Sequence, residues 1–229
     1  MHTLTILSAG SSLIVAVFFI YKSYTGTAKE RLFSKGIASF LFLLTAIFGY
    51  LTPTKGENVS AYAVLLLCGL IFGLIGDVLL EMQAVYPEKK KTFFISGLVS
   101  FLLGHIFYII LLMRLTRITS WHLIVSILVF LLVLYLQKVT RSDPGAMLLP
   151  VRAYAAIISL MLGFAAGAYI ADSTKLTLIL LIAAILFLIS DLLLAYIQFG
   201  PKEVKALRAC NLSCYYVAQV LFALTMLIR

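Results

Sequence analysis

Eight apolar stretches divide the chain, with short polar breaks between them. They run over roughly residues 4–21, 34–51, 61–82, 93–113, 120–137, 148–170, 175–198 and 207–228. A continuous apolar stretch of about 20 residues is what a helix needs to cross a bilayer's hydrocarbon layer. The pattern therefore predicts an all-α membrane protein with eight transmembrane helices. It forms a single integral-membrane domain over residues 1–229, because the short connections leave no room for a soluble one. The first stretch has no basic leader and no small-residue cleavage site before Tyr21, and it reads as a retained helix rather than a cleaved signal peptide.

Two carboxylates interrupt the apolar pattern. Asp77 sits in Phe72-Gly73-Leu74-Ile75-Gly76-Asp77-Val78-Leu79-Leu80-Glu81, and Asp191 in Leu188-Ile189-Ser190-Asp191-Leu192-Leu193-Leu194. An aspartate within hydrocarbon costs at least about 2.5–3.5 kcal/mol, so such residues line cavities, pair with a partner and mark function. A shift of 114 residues superimposes Asp77 on Asp191, Leu79 on Leu193, Gly49 on Gly163 and Pro87 on Pro201. The match suggests an internal repeat, 1–114 and 115–229. Each half holds four helices, so the two pseudo-symmetric halves have parallel topology.

Other polar groups gather at comparable depth. With about 1.5 Å of rise per residue, both aspartates lie roughly 10 Å inside one end of their helices. Glu81 is one turn nearer that end and reads either as a solvated interfacial charge or as part of a site. His105 falls opposite Gln219 at the 114-residue offset. Asn211, Tyr215 and Gln219 lie four apart on one face of the last helix, a polar stripe that belongs against protein or water rather than lipid. Tyr108 and Tyr154 read either as site residues or as buried aromatics with one polar tip. Together these groups predict a polar cavity near one membrane face, open toward lipid headgroups. Asp77, Asp191 and His105 are its candidate catalytic groups. Glu81, Tyr108, Tyr154, Ser190, Asn211, Tyr215 and Gln219 are candidates for substrate binding.

Composition sharpens this picture in three ways. The chain is 63% hydrophobic and 12% charged, with a net charge of +9. In a soluble protein that charge would suggest nucleic acid. Here thirteen of the 18 Lys and Arg residues, Lys22, Lys29, Arg31 and Lys35 among them, fall in the connections at one end of the helices. Basic residues of that kind set topology, so this end is placed in the cytoplasm and both termini outside, in a bacterial inner membrane. The basic run Lys89-Lys90-Lys91 serves topology or holds anionic headgroups. Cys68, Cys210 and Cys214 show no metal-ligand spacing and read as small core residues. Gly69 and Gly73 allow close helix approach. Thr52-Pro53-Thr54 and Asp143-Pro144-Gly145 read as turns, and Trp121 and His122 as interfacial rings.

In Gly76-Asp77, Gly104-His105 with Tyr108, Tyr154 with Met161, Ser190-Asp191 with Leu194-Ala195, and Tyr215-Tyr216-Val217-Ala218-Gln219, the chain resembles the YhhN family. This is the family of eight-helix membrane proteins that includes the lysoplasmalogenases. The resemblance implies hydrolysis of the vinyl ether bond of lysoplasmalogens to a fatty aldehyde and glycerophosphoethanolamine or glycerophosphocholine. It carries Asp77 and Asp191 as the catalytic pair, with His105, Tyr215 and Gln219 around them. The chemistry also suits two carboxyls: one protonates the β-carbon, and the other stabilises the cation or activates water. The expected partners are a lysophospholipid substrate and membrane lipids, with no nucleic acid, cofactor or metal. The competing reading is a transporter or lipid-translocating protein that uses the aspartates for proton coupling.

Overall fold

A computed structural model describes residues 1–52, 59–202 and 204–229. Its described residues form eight long helices and no strand: α1 (His2–Thr25), α2 (Ala28–Tyr50), α3 (Val59–Val85), α4 (Lys90–Met113), α5 (Ser120–Val139), α6 (Leu148–Ala171), α7 (Lys175–Phe199) and α8 (Lys205–Leu224). All eight are long and apolar enough to span a membrane. The chain is an integral membrane protein. Part of the turn at Thr52-Pro53-Thr54, and Lys55 with it, lies outside the described residues.

The second helix corrects the sequence reading. It begins at Ala28, about six residues before the apolar stretch does, because Thr27 caps it. The Thr27 side chain accepts from the Glu30 N–H while Glu30 reaches back to the Thr27 N–H, a reciprocal box that satisfies two otherwise orphaned donors. Arg31 and Lys35 are therefore helical residues rather than loop residues.

The chain divides into two compact units, Met1–Tyr108 with Gln219–Arg229, and Ile109–Ala218. In lipid, helices gain little by hiding apolar surface from one another, so close approach and interhelical hydrogen bonds carry the packing. The first unit shows both devices. Ser12 Oγ donates to the Ala38 carbonyl at 2.9 Å, and Thr45 Oγ1 to Ser8 Oγ at 3.0 Å, joining α1 to α2. Between α3 and α4, Ser100 Oγ donates to the Phe72 carbonyl at 2.6 Å. Gly76 admits the Phe101 ring there, where an added Cβ would lie only 2.7 Å from Cε2. Tyr62 closes the unit by donating to Thr225 Oγ1 at 2.6 Å.

The second unit joins α5 to α6 through glycine as well. At Gly163 an added Cβ would meet the Ser126 nitrogen at 2.6 Å, and at Gly167 it would meet the His122 ring. His122 is thus not an interfacial ring. It is 1% exposed and edge-on to Phe164, whereas Trp121 beside it is 52% exposed. Of the cysteines, Cys210 is exposed rather than in the core, and all three are free.

Candidate functional site

Each aspartate sits on the later of two sequential helices and receives a hydroxyl from the earlier one. On α3, Asp77 accepts from Ser39 of α2 at 2.5 Å. On α7, Asp191 accepts from Tyr154 of α6, also at 2.5 Å. The surroundings then diverge.

Asp77 belongs to a charge cluster inside the first unit. Lys35 Nζ lies 3.3 Å from its Oδ1 and 3.9 Å from Glu81 Oε2, and Arg31 Nε lies 2.8 Å from Glu81 Oε1. Lys35 also stands over the Phe19 ring, 5.6 Å from its centroid. Helical geometry aligns the four charges. Arg31, Lys35 and Ser39 recur every four residues on α2, as Asp77 and Glu81 do on α3, and residues four apart share a helix face. Two cations meet two anions, so the cluster is neutral, and Asp77 is 2% exposed. Glu81 is an ion-paired group rather than a freely solvated one.

Asp191 faces something different. Among the described residues no cation lies within ion-pair distance of it. Its side chain forms part of the wall of a cavity of about 360 Å³, and the residue is partly exposed. Every residue lining that cavity belongs to the second unit. One end is formed by Thr140 and Ser142, where α5 gives way to the loop before α6. The far end is formed by Val133, Ile158 and Leu188. The loop is held in place. Arg141 adopts a left-handed φ of 54°, Asp143 Oδ1 accepts from the Gly145 N–H at 2.9 Å, and the Asp143 N–H donates to the Phe199 carbonyl at 2.9 Å. Apolar depth, a few polar groups and one carboxyl are the features of a small-molecule site.

The remaining candidates are placed one by one. In the first unit, His105 Nδ1 lies 2.6 Å from the Phe101 carbonyl, and because a carbonyl only accepts, this nitrogen carries the proton. Tyr108 donates to Gln219 Oε1 at 3.0 Å and stacks on Phe222 at 4.2 Å, with Gly69 leaving room for its ring. In the second unit, Asn211 Nδ2 donates to both the carbonyl and the Oγ of Ser190, at 2.7 and 2.9 Å. Tyr215 packs edge-on against Phe187 and Tyr216. Of the ten candidates, the cavity gathers Tyr154 and Asp191.

Sequence reasoning did not name Arg31, Lys35 and Ser39 as site residues, although their four-residue spacing matches that of Asp77 and Glu81. Nor did it name Gln137, Thr140, Ser142 or Tyr196, which line the cavity. For these, only position near helix ends could have served as a signal. Among the described residues no cluster of three or more His, Cys, Asp or Glu could hold a metal ion.

Comparison with known proteins adds one match. The profile of the YhhN family covers residues 30–226, and the chain belongs to that family. No curated protein and no solved structure matches it.

Proposed function

For this member of the YhhN family we propose a lysoplasmalogenase-like activity, the hydrolysis of a vinyl ether bond in a single-chain phospholipid, with Asp191 as the proton-transfer group. One observation carries the reading. An intramembrane carboxyl, held by a tyrosine hydroxyl and with no cation within ion-pair distance among the described residues, forms part of the wall of a largely apolar cavity. Family membership is compatible with such a hydrolase.

The proposed steps need only Asp191 and water. The Asp191 carboxylic acid gives its proton to the β-carbon of the vinyl ether, and the C=C π pair forms the new C–H bond. The adjacent carbon becomes an oxocarbenium ion. Water adds to that carbon and yields a proton to the carboxylate, which leaves a hemiacetal and restores the acid. Collapse of the hemiacetal breaks the bond to the glycerol oxygen, which takes up the hydroxyl proton. The products are a fatty aldehyde and the glycerophospho headgroup. A positioned acid or base of this kind contributes about 10²–10⁴-fold. Tyr154 fixes the carboxyl in place. We also propose a supporting role for Asp77, whose carboxylate is paired with Lys35 and takes no proton in these steps, so Asp77→Asn is expected to lower the yield less than Asp191→Asn. The charge bias of the connections supports an orientation with the basic helix ends in the cytoplasm.

The test is product analysis. Purified protein in detergent is given lysoplasmenylethanolamine in deuterium oxide, beside Asp191→Asn and Asp77→Asn. The expected result is aldehyde carrying one solvent deuterium at the carbon next to the carbonyl, with the yield lost in Asp191→Asn. Lipid that binds but stays intact would overturn the hydrolase in favour of lipid translocation.

A further inference from the structure

The cavity holds two polar groups that the chain itself does not use. Among the described residues, the Gln137 carboxamide makes no hydrogen bond to the protein, and neither does the Tyr196 hydroxyl. By contrast, Thr140 and Ser142 bond each other at 3.0 Å, and Tyr154 is bonded to Asp191. Both uncommitted residues line the cavity and both are partly exposed. An amide on an apolar membrane helix is costly unless something satisfies it. Gln137 is two residues from the end of α5 at Val139, and Tyr196 is three residues from the end of α7 at Phe199. The Tyr196 ring lies beside Gly200, where an added Cβ would come within 2.9 Å of Cδ2 and Cε2, so the close turn after α7 braces the ring.

Their depth relates them to Asp191. Tyr196 is five residues further along α7, which places it roughly 7.5 Å nearer the loop end of the cavity. A ligand whose reacting carbon meets Asp191 therefore presents to Gln137 and Tyr196 whatever lies a few single bonds toward its headgroup. In a lysolipid that part is the glycerol backbone with its free sn-2 hydroxyl. A carboxamide and a phenol each both donate and accept, which suits a neutral hydroxyl. Neither carries the charge that a phosphate or an ammonium group demands.

We infer that Gln137 and Tyr196 form a hydroxyl-reading subsite that selects a glycerolipid with a free sn-2 hydroxyl over one in which that oxygen is blocked. The inference deepens the proposed function, because it takes Asp191 as the place where the bond breaks. A site built to hydrogen-bond a hydroxyl discriminates strongly against an analogue that lacks it, because its own polar groups are then left unpaired.

The test measures binding, not turnover. The probes are a saturated 1-O-alkyl lysophosphatidylethanolamine, which has no vinyl group to cleave, and its 2-O-methyl counterpart. The wild-type protein is expected to prefer the free hydroxyl by about tenfold or more. Tyr196→Phe, almost isosteric, and Gln137→Leu are each expected to reduce that preference severalfold while leaving affinity for the 2-O-methyl probe unchanged. Equal affinity of the wild type for the two probes would overturn the subsite. So would a preference unaltered in both variants, or an equal loss of affinity for both probes. Failure of the hydrolase reading is a separate result: intact vinyl ether lipid together with the expected binding preference leaves the subsite standing.

Discussion

The two aspartates within the apolar helices of this protein stand in similar sequence contexts and differ in environment. Each accepts a hydroxyl from the preceding helix at 2.5 Å. Asp77 is then paired with Lys35, while Asp191 borders a cavity. At the 114-residue offset the neighbouring positions differ. Lys35, Ser39 and Glu81 fall opposite Leu149, Ala153 and Ala195. Three polar positions around Asp77 thus have apolar counterparts, and among the described residues no cation lies within ion-pair distance of Asp191. One aspartate thus anchors an ion-pair cluster, and the other borders a cavity.

That contrast can be broken most severely in the first unit. Lys35→Met leaves a buried carboxylate without its cation, and removal of one member of a buried pair costs about 3–5 kcal/mol. Thermal unfolding in detergent is expected to show this loss, and Lys35→Met with Asp77→Asn is expected to recover most of it. Equal melting of the wild type and Lys35→Met would mean that the cluster does not hold the unit together. Next in size is Gly69→Ala, whose new Cβ meets the Tyr108 ring, with Cδ1 and Cζ at 2.7 Å. Overpacking of this kind costs about 1–3 kcal/mol, again visible in the melting curve and expected to be reduced by Tyr108→Leu.

A smaller change sharpens the second unit. Tyr154→Phe removes the hydroxyl that holds Asp191 and is expected to lower kcat about tenfold with little change in KM. If KM rises and kcat stays the same, Tyr154 binds substrate instead. Least affected is Lys22→Ala. The pair between Lys22 and Glu30 is as short as any here, 2.8 Å, but it is solvent-exposed. Exposed pairs contribute little, so the melting curve is expected to stay where it is, and salt to have little further effect. This exposed pair is the control for Lys35.

Much of this arrangement was legible in the sequence, for reasons of period and length. Eight apolar stretches of spanning length fix eight helices, and Asp77 and Asp191 stand out because a carboxylate in hydrocarbon needs a reason to be there. The start of α2 was misread because a charged run at a helix end resembles a loop. The four-residue recurrence of Arg31, Lys35 and Ser39 carried the correct answer, since it answers the same spacing in Asp77 and Glu81. His122 was misread through its neighbour. Trp121 faces outward, and a residue one position away on a helix points elsewhere, here into the space left by Gly163 and Gly167. The pairing of Tyr154 with Asp191 spans 37 residues, and no local pattern reports such a distance. The cavity itself is a space that side chains leave, and no one residue marks it in the chain.

The most direct measurement is the rate of aldehyde release by Asp191→Asn from lysoplasmenylethanolamine, made on protein that still binds the saturated ether probe as the wild type does. Substitution of the carboxyl with a carboxamide keeps its shape and removes the transferable proton. The expected result is a rate at least about a hundredfold below wild type with binding intact. A variant that binds the probe and still releases aldehyde at close to the wild-type rate would contradict the assignment of the chemistry to Asp191.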